Sequence, residues 1–197
     1  ALMCRGFADA YMTFNNDHYL EVALKNAQFI MDKQWQKDGA LLHSYKDGRS
    51  TINGYLEDYA FTIEAFIRLY EVTFDKVWLE RAEKLVEYSA QHFLDSESGM
   101  FFFTSDLDDA LVARKMEVND NVIPASCSAM ANNLFLLSHY LDKSSYKKMA
   151  STMLNNVKEM MPQYGSAYSN WGILLLNQVV PFYEVAIVGS NSLEKAK

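Results

Sequence analysis

Residues 55–73 place Tyr55, Leu56, Tyr59, Ala60, Phe61, Ile63, Ala65, Phe66, Ile67, Leu69 and Tyr70 on nearly every side of a helix. Residues 125–141 go further and contain no Asp, Glu, Lys or Arg. A helix that is apolar all round must be enclosed by other elements. Between and beside these lie segments of the opposite kind. In residues 76–94, Trp78, Ala82, Leu85, Val86, Ser89, Ala90 and Phe93 face one way, while Lys76, Glu80, Arg81, Glu83, Lys84 and Glu87 face the other. Residues 17–36 have the same amphipathic spacing and start on Asp17, a residue suited to a helix cap or first turn. The chain therefore alternates enclosed helices with surface helices.

The alternation repeats. Asp17-His18-Tyr19-Leu20 with Ala23 matches Lys76-Val77-Trp78-Leu79 with Ala82, an offset of 59, and Ser144-Ser145-Tyr146-Lys147 with Ala150 follows 68 further on. A period of about 60–70 residues, each unit an inner plus an outer helix, predicts stacked helical hairpins. Residues 1–14 and 165–178 have inner-helix character, so about three and a half hairpins are expected within one partial domain over 1–197. A strand is expected at Phe182–Gly189. Such an array leaves inner-helix surface open at its ends, which predicts self-association.

Composition closes off other classes. Half of the 197 residues are hydrophobic and 22% charged, the reverse of a disordered chain. Eight glycines and three prolines are too few for a turn-rich β fold. A net charge of −7 disfavours a nucleic-acid backbone or an anionic membrane as partner. The uncharged run Asn121–Leu141 is long enough to span a bilayer, but Pro124, three serines, three asparagines and His139 suit a protein interior better. With no signal-peptide pattern and two isolated cysteines, Cys4 and Cys127, the expected location is cytoplasmic, both thiols reduced.

The long connections, residues 37–54 and 95–124, both run from an outer helix to the next inner one, so they gather on one face, where function tends to sit. In the second, two β-prone runs around Leu107-Asp108-Asp109 predict a small hairpin at 100–115. The first loop delivers Tyr55, Glu57, Asp58 and Tyr59 to a helix start; the second delivers Glu117, Asn119, Asp120, Asn121 and Ser126. Taken singly, acids at a helix start are caps and dipole partners. As a set on one rim they suit a carbohydrate, which is bound by aromatic faces and polar pairs and cleaved by paired carboxylates. Glu57, Asp58 and Asp120 are the candidate acid/base groups, with His43 as auxiliary. Tyr55, Tyr59 and Trp171 are candidate aromatic walls, and Asn119, Asn121 and Ser126 candidate hydroxyl partners. His18 and His92 fall on outer helices and His139 near the end of a buried one, where structural roles are expected. The chain holds no HExxH, Cys/His cluster, calcium loop, GxGxxG, Walker or GxSxG pattern, so no metal site and no cofactor is expected.

Gly54-Tyr55-Leu56-Glu57-Asp58-Tyr59-Ala60, with Glu64 and Leu69-Tyr70-Glu71-Val72-Thr73, resembles the helical C-terminal domain of the YyaL-type proteins, relatives of the spermatogenesis-associated thioredoxin-like proteins. The resemblance continues through Gly99–Thr104, Arg114-Lys115 and Asn121–Ser126 to Glu184–Gly189. It implies an all-α (α/α) six-hairpin toroid, here a partial one, on the scaffold of N-acylglucosamine 2-epimerases and several glycosidases. It also implies a thioredoxin-like domain and further hairpins ahead of this segment. The family usually has Pro-Ser-Gly-Asn-Ser where this chain has Pro124-Ala125-Ser126-Cys127-Ser128. The function expected is sugar processing, epimerase-like or glycosidase-like, or else non-catalytic carbohydrate binding or scaffolding beside the thioredoxin-like module.

Overall fold

Three turns set the architecture, and each is closed by one residue in the left-handed conformation: Asn15 (φ 48°), Phe74 (φ 56°) and Asp142 (φ 51°). A left-handed residue after the last helical turn lets a backbone N–H reach back to a free carbonyl and reverses the chain. Asn15 N–H donates to Tyr11 O at 2.8 Å, and Phe74 N–H to Tyr70 O at 2.7 Å. The computed structural model describes residues 1–109, 112–183, 185 and 189–190. Within them, α1 (Leu2–Phe14) and α2 (Asp17–Phe29) form the first hairpin, α3 (Leu56–Thr73) and α4 (Val77–His92) the second, α5 (Ser126–Tyr140) and α6 (Ser144–Val157) the third. A seventh helix, α7 (Ser169–Val179), packs on α5.

Helices α1, α3, α5 and α7 are the inner row, each packed on the next, and α2, α4 and α6 form the outer row. The hydrophobic character read from the sequence decides which is which. Leu56, Ile63, Ala65, Phe66 and Leu69 of α3, and Cys127, Met130, Ala131, Leu134 and Leu137 of α5, have no exposed surface. Asn133, in the middle of α5, is 1% exposed and donates from Nδ2 to the Ala60 carbonyl of α3 at 2.7 Å, so this buried amide stitches two inner helices together. Both cysteines are core residues. Burial pushes the Cys4 thiol up to about 11 and the Cys127 thiol up to about 12, and each S–H points at a backbone carbonyl. They are free thiols, as their isolation in sequence suggested.

The helices expected over 17–36 and 165–178 are each two-part. After Phe29 the chain widens into a π-helical turn, Ile30–Gln34, closed by Trp35 N–H to Ile30 O at 3.0 Å. That extra residue per turn brings the Trp35 ring flat over Phe66, centroids 6.0 Å apart. Before α7, Gly165–Tyr168 form a 3-10 turn.

The hairpin lies in the other long loop. Strands β1 (Leu42–Lys46) and β2 (Arg49–Asn53) pair antiparallel through an Asp47-Gly48 turn, both residues at positive φ (51° and 79°). This Asp-Gly pair is the strongest two-residue hairpin signal in the chain. The described part of residues 100–115 forms no strand; Ala110 and Leu111 lie outside the described residues. Buried Phe101 makes a single bridge to Leu94, and Arg114 is drawn in to donate to the carbonyls of His92 and Thr104, which ties this segment to the helix end. The strand expected at Phe182–Gly189 falls largely outside the described residues, and Phe182 and Tyr183 have no regular structure. No described helix is long and apolar enough to cross a membrane.

Candidate functional site

The first long loop and α3 meet at a cluster of ionisable groups. Asp58 closes a capping box at the start of α3: its Oδ2 accepts from the Tyr55 N–H at 2.8 Å. The same oxygen is 2.9 Å from His43 Nδ1, carried across from β1. Glu57, one position earlier, is half-buried and makes no side-chain hydrogen bond with the described residues. Burial raises its pKa first, and the neighbouring carboxylates of Asp58 and Glu117 raise it further, with His43 pulling the other way. One carboxylate is thus fixed by two donors while its neighbour is biased toward keeping a proton, the division found where one acid donates and another stays charged.

Glu57 and Asp58 border a cavity of about 320 Å³ between the inner ends of α1 and α3, whose other walls include Leu41, Phe61, Thr62 and Ile123. Above it, the Tyr55 ring stacks on Phe103 (centroids 4.9 Å, 12° between planes) and meets His43 edge-on at 5.0 Å. Phe103 is the group that reading single residues did not single out. Phe103 is brought in by Leu56 N–H donating to its carbonyl at 2.9 Å, a contact between loops that periodicity does not reveal.

The second helix start is built differently. Asp120 is 9% exposed and fully engaged: Oδ1 accepts from Ala125 N–H (2.9 Å) and Ser128 Oγ (2.6 Å), Oδ2 from Asn170 N–H (2.8 Å). It caps α5 and binds the first turn of α7. The structure therefore separates Asp120 from the Glu57–Asp58 cluster and gives it a structural post. Ser126 is also fully buried, its N–H capped by Glu117 Oε2 at 3.0 Å, so its hydroxyl is closed to a ligand.

Two of the aromatic candidates belong to the core. Tyr59 is 2% exposed; its hydroxyl accepts from the Leu41 N–H at 2.8 Å and its ring stacks on Tyr88 at 5.4 Å. Burial drives its phenol pKa upward. Trp171 is 0% exposed, and its indole N–H donates to Val118 O at 2.8 Å. Both are walls of the protein interior. Asn119 and Asn121 are exposed on the rim. Of the remaining histidines, His18 is exposed on α2, His92 pairs with Asp106 at 2.8 Å, and His139 packs its ring on Phe135 at 4.8 Å. Among the described residues no three His, Cys, Asp or Glu side chains are grouped to hold a metal.

The sequence that forms these paired helices matches a family of known proteins. The model of "Glycosyl hydrolase family 76" fits residues 8–178. The chain belongs to that family. Human spermatogenesis-associated protein 20 is 25% identical over the whole of this chain, which corresponds to 26% of that protein. The chain spans about a quarter of the length of the curated relatives it matches. Among solved structures, a glycosyl hydrolase family 76 α-mannanase of Bacteroides thetaiotaomicron superposes with a TM-score of 0.64 at 16% identity, covering 80% of this chain and 42% of that one. Cellobiose 2-epimerase of Bacillus thermoamylovorans gives 0.64 at 15% identity, covering 78% and 41%. The inactive α-1,6-mannanase variant of Salegentibacter in complex with α-1,6-mannotriose, in which two adjacent aspartates are asparagines, gives 0.63 at 17% identity, covering 78% and 44%. These likenesses show the helical-hairpin fold of the α/α toroid enzymes, which the repeat and the resemblance implied.

Proposed function

We propose that the Glu57–Asp58–His43 cluster is the acid/base centre of a carbohydrate-processing site, glycosidase-like or epimerase-like. The observation that carries this reading is the unequal pair. Glu57 borders the cavity with no hydrogen-bond partner among the described residues and with its pKa raised by burial, while Asp58 beside it is held by two donors. In the role proposed, Glu57 protonates the departing sugar oxygen, Asp58 faces the positive charge that develops on the ring, and the Tyr55–Phe103 stack supports the sugar face. Family membership supports the substrate class, and the adjacent acids altered in the inactive mannanase are a parallel to Glu57–Asp58.

A second reading, carbohydrate binding or scaffolding without turnover, is favoured by one fact: Asp120 and Asp58 both serve as helix caps, which leaves Glu57 the one carboxylate of the three without a hydrogen bond. In either reading the partner is a small sugar, with a thioredoxin-like module and self-association as further proposed partners of the whole protein. The free, buried cysteines support a cytoplasmic setting.

The test is a panel of α-mannosides, cellobiose and free mannose, followed for release of reducing ends and for exchange of the sugar C2 proton with deuterated solvent. Turnover that vanishes in Glu57→Gln supports the first reading. A ligand-induced rise in Tm without turnover supports the second, and neither response in the full-length protein removes both.

A further inference from the structure

One residue of β2 has a backbone that strands avoid. Ile52 sits at φ 65°, the left-handed region, which a β-branched residue enters only when its surroundings compel it. The hairpin register shows what this accomplishes. From the Asp47-Gly48 turn the facing pairs run Lys46–Arg49, Tyr45–Ser50, Ser44–Thr51 and Leu42–Asn53. The pair between the last two would be His43 with Ile52, and it is missing from the ladder. Counted from a two-residue turn, that position is a non-hydrogen-bonded pair, where Cα atoms stand about 4.5 Å apart and side chains crowd closest.

With Ile52 turned left-handed, its side chain goes to solvent (56% exposed) and the space beside His43 is released. The imidazole then reaches Asp58 at 2.9 Å and Tyr55 at 5.0 Å. The strand is anchored on both sides of the strained residue. Ser50 Oγ donates to Lys33 O, and Gly54 N–H donates to Leu41 O at 2.8 Å. A side chain at Gly54 would meet that carbonyl at 2.7 Å, so the base of the hairpin has no slack. We infer that Ile52 is a positioning residue: its left-handed backbone removes the cross-strand neighbour of His43 and so aims the imidazole at Asp58. The inference concerns the site proposed above, but the geometry it describes exists whether or not that site turns over a sugar.

The test reads the imidazole directly. A carboxylate only accepts, so the His43–Asp58 bond places the proton on Nδ1, the minor tautomer of a free neutral histidine. Nitrogen–proton correlation spectra of the 197-residue chain, taken where imidazole is neutral, should show the Nδ1–H tautomer for His43, and Asp58→Asn should abolish it. Ile52→Asn and Ile52→Gly accept the left-handed conformation cheaply, so both should keep the signature and raise Tm by roughly 2–6 °C. Ile52→Pro forbids that conformation, and the signature should be lost with the helices intact. Retention of the signature in a folded Ile52→Pro chain overturns the proposal. Should Ile52→Pro fail to fold, loss of the signature in Ile52→Asn or Ile52→Gly overturns it independently. Absence of sugar turnover would leave these spectra unaffected, so the two failures are distinguishable.

Discussion

At the start of α3, Glu57 borders a cavity with no hydrogen-bond partner among the described residues, and Asp58 shares one oxygen between a backbone cap and His43. At the start of α5, Asp120 meets three donors and is nearly closed to solvent. Both starts are fed by a long loop, and both carry acids where the helix dipole welcomes them. What separates them is the next inner helix. Helix α7 brings Asn170 against Asp120 and completes a buried network with Ser128, whereas Glu57 looks across a 320 Å³ space toward α1. An acid at a helix start becomes structure when a neighbouring element supplies donors, and stays available for chemistry when it does not.

That contrast is broken most sharply by exchanging charge for amide at each start. Glu57→Gln should lower any sugar turnover by roughly 10²–10⁴-fold, the usual contribution of a positioned proton donor, while leaving the fold intact. A steady-state assay with circular dichroism beside it checks both halves. Asp120→Asn should do the reverse. It weakens charge-assisted bonds and turns an amide N–H toward donors, for a loss of about 2–4 kcal/mol in stability, or roughly 5–15 °C in Tm. Residual turnover at permissive temperature should remain near wild type. A strong activity defect in a fully folded Asp120→Asn chain would erase the distinction between the two helix starts. Tyr59→Phe extends the contrast to the aromatics. Leu41 N–H loses its acceptor, for about 1 kcal/mol and roughly 2–4 °C, with no change in sugar affinity because the ring is enclosed.

The inner and outer rows were legible because enclosure and exposure are written in side-chain polarity: an uncharged α5 has nowhere to go but inside, and an α4 with one charged face nowhere but the surface. The hairpin forms at Asp47-Gly48 and not at 100–115 because a turn with positive φ at two successive residues constrains the chain more than β-prone side chains do. The proximity of Glu57, Asp58 and His43 was legible, because the topology of the loops gathers them on one rim. The enclosure of Asp120, Tyr59 and Trp171 was not. Their roles depend on partners 50 to 53 positions or 18 positions away, namely Asn170 and Val118 or Leu41, and no local pattern records such contacts. Phe103 escaped for the same reason.

The smallest expected effect tests the electrostatics of the open start alone. Burial, with Asp58 and Glu117 as like-charged neighbours, raises the Glu57 pKa in the folded chain above its unfolded value. The folded state therefore favours the protonated acid. The associated stability is fully present below the unfolded pKa and is lost as pH rises through the folded pKa. At neutral pH the charged Glu57 is a net cost to the fold, and a neutral Gln of the same length removes it without taking away a hydrogen bond, since Glu57 makes none with the described residues. Glu57→Gln should accordingly melt higher than wild type at pH 7, with the gap closing as pH falls through the carboxylate range. Melting curves taken in steps across that range check this. A gap that is constant with pH, or of the opposite sign at pH 7, would mean that Glu57 is paired as Asp120 is, and that the two helix starts are alike.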